Sequence, residues 1–223
     1  MIDTVFQNDD FIVLNKPHNV NFHSEDSKAG FVVEAENELG FKLYSVHRLD
    51  KVTSGLIIFA KTSQIAAKFT DMFGKKEIEK YYIAISLRKP KKKQGWIKAD
   101  MAPSRRGSYK LLKTKNNPAV TQFISKSIKA NERLFLIKPH TGKTHQIRVA
   151  LKSISAPIAG DTRYADASKA KKEQRCYLHA YALKFTFDGN KFEFLKYPEY
   201  GDRFNSPEIY KLLETIQKPW ELF

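Results

Sequence analysis

The sequence lacks features that several classes of protein require. Only one of its 223 residues is a cysteine, Cys176, which excludes an internal disulfide and is typical of a reducing compartment. No apolar run approaches the ~18 residues of a membrane-spanning helix. The residues after Met1 do not form the basic and then apolar pattern of a secretion signal. We therefore expect a cytoplasmic protein with no membrane partner.

The histidines and the single cysteine do not suggest a metal site. The chain has six His and one Cys, and together they form no cluster with the spacing of a metal site. Gly142 and Lys143 lack the spaced glycines of a phosphate-binding loop. We expect neither a metal nor a cofactor.

Acidic residues are few in one long stretch. The formal net charge is +15, and residues 75–116 hold 14 Lys and Arg but only three acids. Such a block attracts a polyanion. Its aromatic residues could stack on unpaired bases, which favours RNA as the partner. The alternative is an ordinary solvated surface, since loops tolerate charged residues easily.

The remaining composition is that of a folded globular protein. Hydrophobic residues make up 42% of the chain and aromatic residues 13%, enough for a sizeable core. No repeat or low-complexity linker divides the sequence, so we expect a single domain over residues 1–223. Apolar runs and alternation predict strands near 11–14, 56–60, 80–85, 120–124 and 134–137, and another within 175–185. Helical spacing and end signals predict helices near 32–38, 63–74, 145–154 and 207–216, and residues 94–116 read as a polar hairpin or loop.

Three motifs carry the candidate chemistry. The first is HRLDKVTSGLIIFAK at residues 47–61, in which Asp50 lies in a polar turn just before a buried strand. An Asp in this place is ordinarily a turn residue, and the residues alone leave that reading open. The second is TGKTHQIRVAL at residues 141–151, in which Thr144 could cap a helix that carries Arg148. The third is RCYLHAYALKF at residues 175–185.

Together with Asn-Lys-Pro at 15–17 and Lys-Tyr-Tyr-Ile-Ala at 80–84, these motifs closely resemble the RluA-type pseudouridine synthases. The resemblance runs from about residue 5 to residue 188. It implies an α+β pseudouridine synthase fold: a mixed, mainly antiparallel sheet with flanking helices and a central RNA-binding cleft. It also implies a catalytic domain without the small N-terminal S4 domain of some relatives.

The resemblance further implies roles for particular residues. Asp50 would be the catalytic carboxylate, Arg148 would pair with it, and Tyr82 would stack on the flipped uracil. Arg48 would fill the gap that the flipped base leaves in the RNA. The other expected substrate-binding residues are Lys16, His47, Thr144, His145 and Leu178.

The expected activity is isomerisation of a specific uridine to pseudouridine in tRNA and/or rRNA, by a monomer acting on a structured stem-loop. A catalytically silent RNA-binding module on the same scaffold is the alternative. A two-carboxylate glycoside hydrolase would need a second acid paired with Asp50, and no other motif supplies one.

Overall fold

A computed structural model describes residues 1–25 and 28–223, and they form two compact units. Unit 1 comprises Met1–Glu79 and Ala180–Tyr197, and unit 2 comprises Lys80–His179 and Pro198–Phe223. Within the described residues, no helix has the length and apolar character needed to cross a membrane.

The chain contains twelve strands, five α-helices and two short 3-10 turns among the described residues. The strands are β1 (Asp3–Gln7), β2 (Phe11–Lys16), β3 (Tyr44–Ser45), β4 (Ser54–Ala60), β5 (Glu79–Ser86), β6 (Gln94–Ala99), β7 (Met101–Pro103), β8 (Tyr109–Leu111), β9 (Ala119–Lys129), β10 (Glu132–Pro139), β11 (Leu178–Phe187) and β12 (Asn190–Leu195). The helices are α1 (Phe31–Leu39), α2 (Ser63–Lys75), α3 (Gln146–Ser153), α4 (Ala167–Ala170) and α5 (Pro207–Glu214), and the 3-10 turns are Arg105–Gly107 and Pro219–Glu221.

Unit 1 is built on the strand order β1-β2-β4-β11, with β3 against β4 and β12 against β11. All seven residues of β4 are buried, which explains its continuous apolar sequence. β2 pairs antiparallel with β4, and the pairing ends with Lys16 opposite Gly55. α2 packs on β4, and together these elements enclose a core rich in phenylalanine that includes Phe11, Phe69, Phe185 and Phe187.

Unit 2 contains the strands β5-β10-β9-β6 in that order, paired antiparallel, and a separate β7–β8 hairpin. α3 contacts β8, β9 and β10, whereas α5 contacts β9. The predicted α+β class with a mainly antiparallel sheet is confirmed.

Several helix ends follow the sequence signals. α1 ends at Gly40, which adopts the left-handed conformation, and α5 begins after Ser206, whose side chain accepts from the Ile209 N–H. Thr62 caps α2 in the same way by accepting from Ile65.

Two expectations about local structure were wrong, and a third was incomplete. Glycine is typical of a helix end, so the sequence favours Gly74 as the end of the helix at 63–74. Gly74 instead lies inside α2, and the left-handed residue that ends this helix is Lys76. Thr144 does not cap α3, because the helix begins one residue later and His145 occupies the cap position without a side-chain cap bond. The hairpin expected within residues 94–116 is present as β7–β8, but residues 94–99 form a further strand, β6. Its polar residues are tolerated because only Ile97 is buried.

The two glycines of unit 1 at positions 55 and 74 make a matched pair for testing the turn that enters β4. Gly55 has φ +110°, and an added Cβ would lie 2.3 Å from the Ala180 carbonyl oxygen, whereas a Cβ at Gly74 would meet nothing within 4 Å. We expect Gly55→Ala to lower the free energy of unfolding by at least about 2 kcal/mol, from backbone strain plus the collision. Gly74→Ala should leave it unchanged or raise it by up to ~1 kcal/mol. Urea denaturation of both variants measures the free energy of unfolding. Equal stabilities would show that the turn into β4 does not require glycine at position 55.

Candidate active site

The turn that carries Asp50 rests on a buried ammonium group. Thr53 donates its N–H to the Asp50 carbonyl at 3.0 Å, closing a tight turn. Beneath it, the fully buried Lys16 donates from Nζ to the carbonyls of Thr53 at 3.0 Å, Lys51 at 3.3 Å and Pro17 at 2.8 Å. Lys16 can do so because it ends β2 opposite Gly55. It is therefore enclosed within unit 1, and we propose that it positions the turn.

His47 anchors the other end of the same segment. Its Nε2 accepts the Ile58 N–H of β4 at 3.0 Å, and its ring centroid lies 4.9 Å from that of Phe73. The short strand β3, which ends at Ser45, two residues before His47, pairs with β4. The His47 bond therefore continues the contact of this segment with β4 beyond the end of β3. The segment between His47 and Thr53 is thus held at both ends.

Between these anchors, the side chains differ in exposure. Leu49 is buried, Asp50 is half-buried and Arg48 is exposed. This arrangement fixes the backbone at Leu49 and leaves Arg48 accessible to a ligand. It is consistent with the expected contact of Arg48 with RNA, which stays a prediction.

In unit 2, the loop before α3 is tied to β9 by a glutamine. The Gln146 carboxamide accepts from the Thr141 hydroxyl at 2.6 Å and from the Lys143 N–H at 3.1 Å. It donates to the Val120 carbonyl and to the Thr121 hydroxyl, both at 3.0 Å. All four hydrogen-bonding contacts of this buried amide hold residues 141–146 in place, and Thr144 and His145 lie half-buried in the resulting turn.

Arg148 of α3 forms a bidentate salt bridge with Asp161. Nε donates to one carboxylate oxygen at 2.8 Å and Nη2 to the other at 2.9 Å, and both side chains are buried. Asp161 also accepts the N–H groups of Arg163 and Tyr164 at 3.0 and 3.2 Å. This planar, doubly bonded geometry fixes the orientation of the guanidinium group.

Tyr164 links Arg148 to His145. Its ring centroid lies 5.0 Å from Arg148 Cζ, and its hydroxyl lies 2.8 Å from His145 Nδ1. The hydroxyl also accepts the Tyr109 N–H of β8 at 2.8 Å, so it contacts both His145 and β8. Burial raises the pKa of Tyr164 above its usual value, so this hydroxyl stays protonated at neutral pH.

The remaining expected residues of unit 2 are on strands. Tyr82 is buried in β5, and alternation places it on the face opposite to Tyr81, whose ring packs against Trp220 and Phe223. Leu178 is buried at the start of β11, and its carbonyl accepts from Arg175 Nη2 at 3.1 Å. Burial lowers the pKa of Arg175 to about 10, at which it is still charged at neutral pH.

The structure therefore groups the expected site residues by unit. Lys16, His47, Arg48 and Asp50 lie along one anchored segment of unit 1, and Tyr82, Thr144, His145, Arg148 and Leu178 lie in unit 2. The pairing of Asp50 with Arg148 and the central RNA-binding cleft stay predictions. The described residues contain no group of three or more His, Cys, Asp or Glu side chains arranged to hold a metal ion.

Two residues with strong contacts to the expected site had no assigned role from the sequence. Asp161 is 13 positions from Arg148, and Gln146 is a side chain whose four partners are spread over two segments. The sequence signal for Asp161 is that residues 156–161 and Tyr164 continue the resemblance to the same family, although it assigned Asp161 no role.

Comparison with known proteins decides the family. The model of the RNA pseudouridylate synthase family matches residues 10–153, which is more than half of the chain. The chain belongs to the RNA pseudouridylate synthases. As a member of this family it is an isomerase that acts on RNA.

Sequence and structure similarity to individual pseudouridine synthases supports this assignment. An uncharacterized RNA pseudouridine synthase of Haemophilus influenzae is 42% identical over 221 residues, covering 98% of each chain. A ribosomal large subunit pseudouridine synthase C of Rickettsia bellii is 33% identical over 79% of this chain, and the match spans 61% of that longer protein. Human RNA pseudouridylate synthase domain containing 1 shares the fold, with a TM-score of 0.77 at 19% identity over 98% of this chain and 95% of the human chain.

The position of Lys16 predicts a defect in turnover more than in RNA affinity. Lys16→Met removes a donor from three carbonyls, and a buried acceptor left without its donor costs about 1–3 kcal/mol. We expect lower stability and a lower kcat for pseudouridine formation, with little change in KM for RNA. Chemical denaturation and steady-state kinetics measure the two effects. Lys51→Met, at an exposed position in the same turn, is the stability control; an equal loss of stability in both variants would contradict the anchoring role.

The buried Arg148–Asp161 salt bridge predicts that a single isosteric substitution of Asp161 lowers the free energy of unfolding strongly. Asp161→Asn leaves a buried arginine without its full charge partner, which typically costs about 3–5 kcal/mol. Asp71→Asn is the control, because it breaks the pair of Asp71 with Lys75 on the exposed surface of α2. The free energy of unfolding should fall strongly in the first variant and hardly in the second. Similar small changes in both would show that Asp161 does not hold Arg148.

Proposed function

We propose that this enzyme converts a specific uridine of a structured tRNA or rRNA stem-loop to pseudouridine, with Asp50 as the catalytic carboxylate. The observation that supports Asp50 most directly is its place in a turn that both Lys16 and His47 hold rigidly. A turn residue with no further role would not need a buried ammonium group beneath it. We further propose that the enzyme acts as a monomer in the cytoplasm, where its RNA substrates are made or used.

The reaction is an isomerisation in which no atoms are gained or lost. The glycosidic bond between the sugar and the ring nitrogen breaks, the base turns, and a bond forms between the sugar and a ring carbon. That carbon loses a proton and the nitrogen gains one. One carboxylate is sufficient for this, either as a nucleophile or as a base. No net electron transfer occurs.

The target base must leave its stack before this chemistry can occur, at a cost of a few kcal/mol. We propose that the exposed Arg48 occupies the gap in the RNA and that Tyr82 stacks on the flipped uracil. His145 and Thr144, at the turn before α3, would contact the substrate near Arg148. Leu178 would supply an apolar wall, held in place by the bond from Arg175 to its carbonyl.

Charge supports RNA as the ligand. Arg105, Arg106 and Lys110 are exposed on the β7–β8 hairpin. β8 packs against α3, and the Tyr109 N–H of β8 donates to the Tyr164 hydroxyl in the segment after α3. Arg163 also donates to the Arg106 carbonyl at 2.5 Å. The hairpin thus presents exposed cations beside the helix that carries Arg148. Cations in such a position can neutralise RNA phosphates.

Asp50→Asn tests the assignment. The substitution preserves the size of the side chain and removes its charge, so pseudouridine formation should fall below detection while RNA affinity stays within about two-fold. Mass spectrometry of labelled RNA and a filter-binding titration are the two measurements. Asp9→Asn, at an exposed position of unit 1, is the matched control and should retain full activity.

Product formed by a verified Asp50→Asn protein, free of wild-type enzyme, would overturn the catalytic role. If the wild-type protein also forms no pseudouridine on any cellular RNA, the alternative of a catalytically silent RNA-binding module is supported instead. Mapping pseudouridines in RNA from cells with and without the gene identifies the substrate and separates these outcomes.

A further inference from the structure

We propose that a surface on the sheet of unit 2, centred on Trp96, binds an unpaired RNA nucleotide by stacking its base on the indole. We call it the Trp96 platform; it consists of Trp96, Lys98, Gln122, Lys138 and His140. The inference rests on the proposed RNA substrate. It adds a second contact for that RNA, apart from the target uridine.

The platform is a set of neighbours on one face of the sheet. Trp96 of β6 lies opposite Gln122 of β9, which in turn lies opposite Lys138 of β10. Lys98 follows Trp96 by two positions, so the two side chains share a face of β6. His140 reaches the same group just after β10, with its Nε2 3.2 Å from the Gln122 carboxamide oxygen.

This face is the one opposite to Tyr82. Tyr82 pairs with Ile137, Ile137 pairs with Phe123, and Phe123 pairs with Gly95, the residue before Trp96. Directly paired residues share a face and consecutive residues alternate, so Trp96 and Tyr82 project from opposite sides. β6 is the last strand in the described order of this unit. An RNA strand could therefore reach the platform by passing around this edge.

The indole is held in place and yet accessible. The His140 ring stacks on Trp96 with centroids 4.8 Å apart and planes 28° apart, and Lys98 Nζ lies 4.6 Å from the indole centroid. Nevertheless, 50% of Trp96 is exposed to solvent. Edge strands are commonly protected by an exposed lysine, and Lys98 alone would serve that purpose. Protection of the edge therefore does not explain an exposed tryptophan.

Charge identifies the occupant as a nucleotide. Every charged side chain of the platform is a lysine, and the exposed Lys91, Lys92 and Lys93 come just before β6. An aromatic ring among lysines is the arrangement that binds unpaired nucleotides, because the ring accepts any base and the lysines neutralise phosphates. Lys98 is exposed, so its ammonium can move from the indole to a phosphate when a base arrives.

Fluorescence of Trp96 provides a direct test. The chain has two tryptophans, so Trp220→Phe leaves Trp96 as the only indole. The probe is an oligoadenylate of about eight nucleotides, within the range that one such surface binds. It contains no uridine, so it cannot undergo the proposed reaction. We expect the oligoadenylate to quench Trp96, and the same oligonucleotide with abasic sugars, which keeps its phosphates, to leave the fluorescence unchanged.

Affinity provides the second measurement. In the otherwise native protein, Trp96→Ala should weaken oligoadenylate binding roughly five- to a hundred-fold, as expected for the loss of one stacked base. Tyr210→Ala removes another exposed aromatic residue of unit 2, on α5, and should change the affinity less than about two-fold. Absence of quenching, equal quenching by the abasic probe, or equal effects of the two variants would overturn the platform.

These outcomes are independent of catalysis. If oligoadenylate quenches Trp96 but the wild-type protein forms no pseudouridine on any RNA, the platform is supported and the proposed function is refuted. If the protein forms pseudouridine but oligoadenylate does not quench Trp96, the proposed function is supported and the platform is refuted.

Discussion

The buried ammonium group of Lys16 is the constraint on which the expected catalytic turn depends. Removing a cation from water is costly, and the cost is recovered only if polar groups replace the lost hydration. Here the replacements include three backbone carbonyls, two of them in the turn after Asp50. The ammonium can be satisfied only while these carbonyls converge on it. The conformation of the turn and the burial of the lysine therefore stabilise each other.

A similar dependence holds in unit 2 around Arg148. The Asp161 carboxylate uses both oxygens on the guanidinium group and also accepts two backbone N–H groups, so the acid is itself fixed by its own turn. The ring of Tyr164 then covers the guanidinium group. If Arg148 pairs with Asp50, as the family resemblance predicts, it does so as a preoriented cation, which loses little conformational entropy on binding.

Sequence was sufficient for elements whose signal is local. The run from Leu56 to Ala60 predicted β4 because full burial requires continuous apolar residues, and Ser206-Pro207 predicted the start of α5 because a cap is a short-range bond. β6 was missed because an edge strand needs few apolar residues, and its Gly95 resembles a loop residue. The start of α3 was misplaced by one residue, since His145 takes a left-handed conformation that no nearby residue signals.

The sequence named residues for the expected site but not the contacts that hold them. Asp50, Tyr82 and Arg148 were identified through motifs of contiguous residues, whose resemblance to a family is visible in the sequence. Their supports are long-range contacts: Lys16 lies 37 positions from Thr53, and Gln146 lies 26 positions from Val120. Nothing in the spacing of these residues indicates the contact, because strand pairing and loop closure bring them together only in the fold.

The cations of the chain fall into two groups, one buried and one exposed. Lys16, Arg148 and Arg175 are buried and donate to carbonyls or a carboxylate inside their own unit, so they hold the local backbone and side chains in place. Most of the cations of residues 75–116 are exposed, and a phosphate can exchange with their water at little structural cost. Affinity that comes from such exposed cations falls with salt, because it arises from the release of counterions. The buried cations are screened much less by salt, so salt should weaken RNA binding well before it disturbs the turn that carries Asp50.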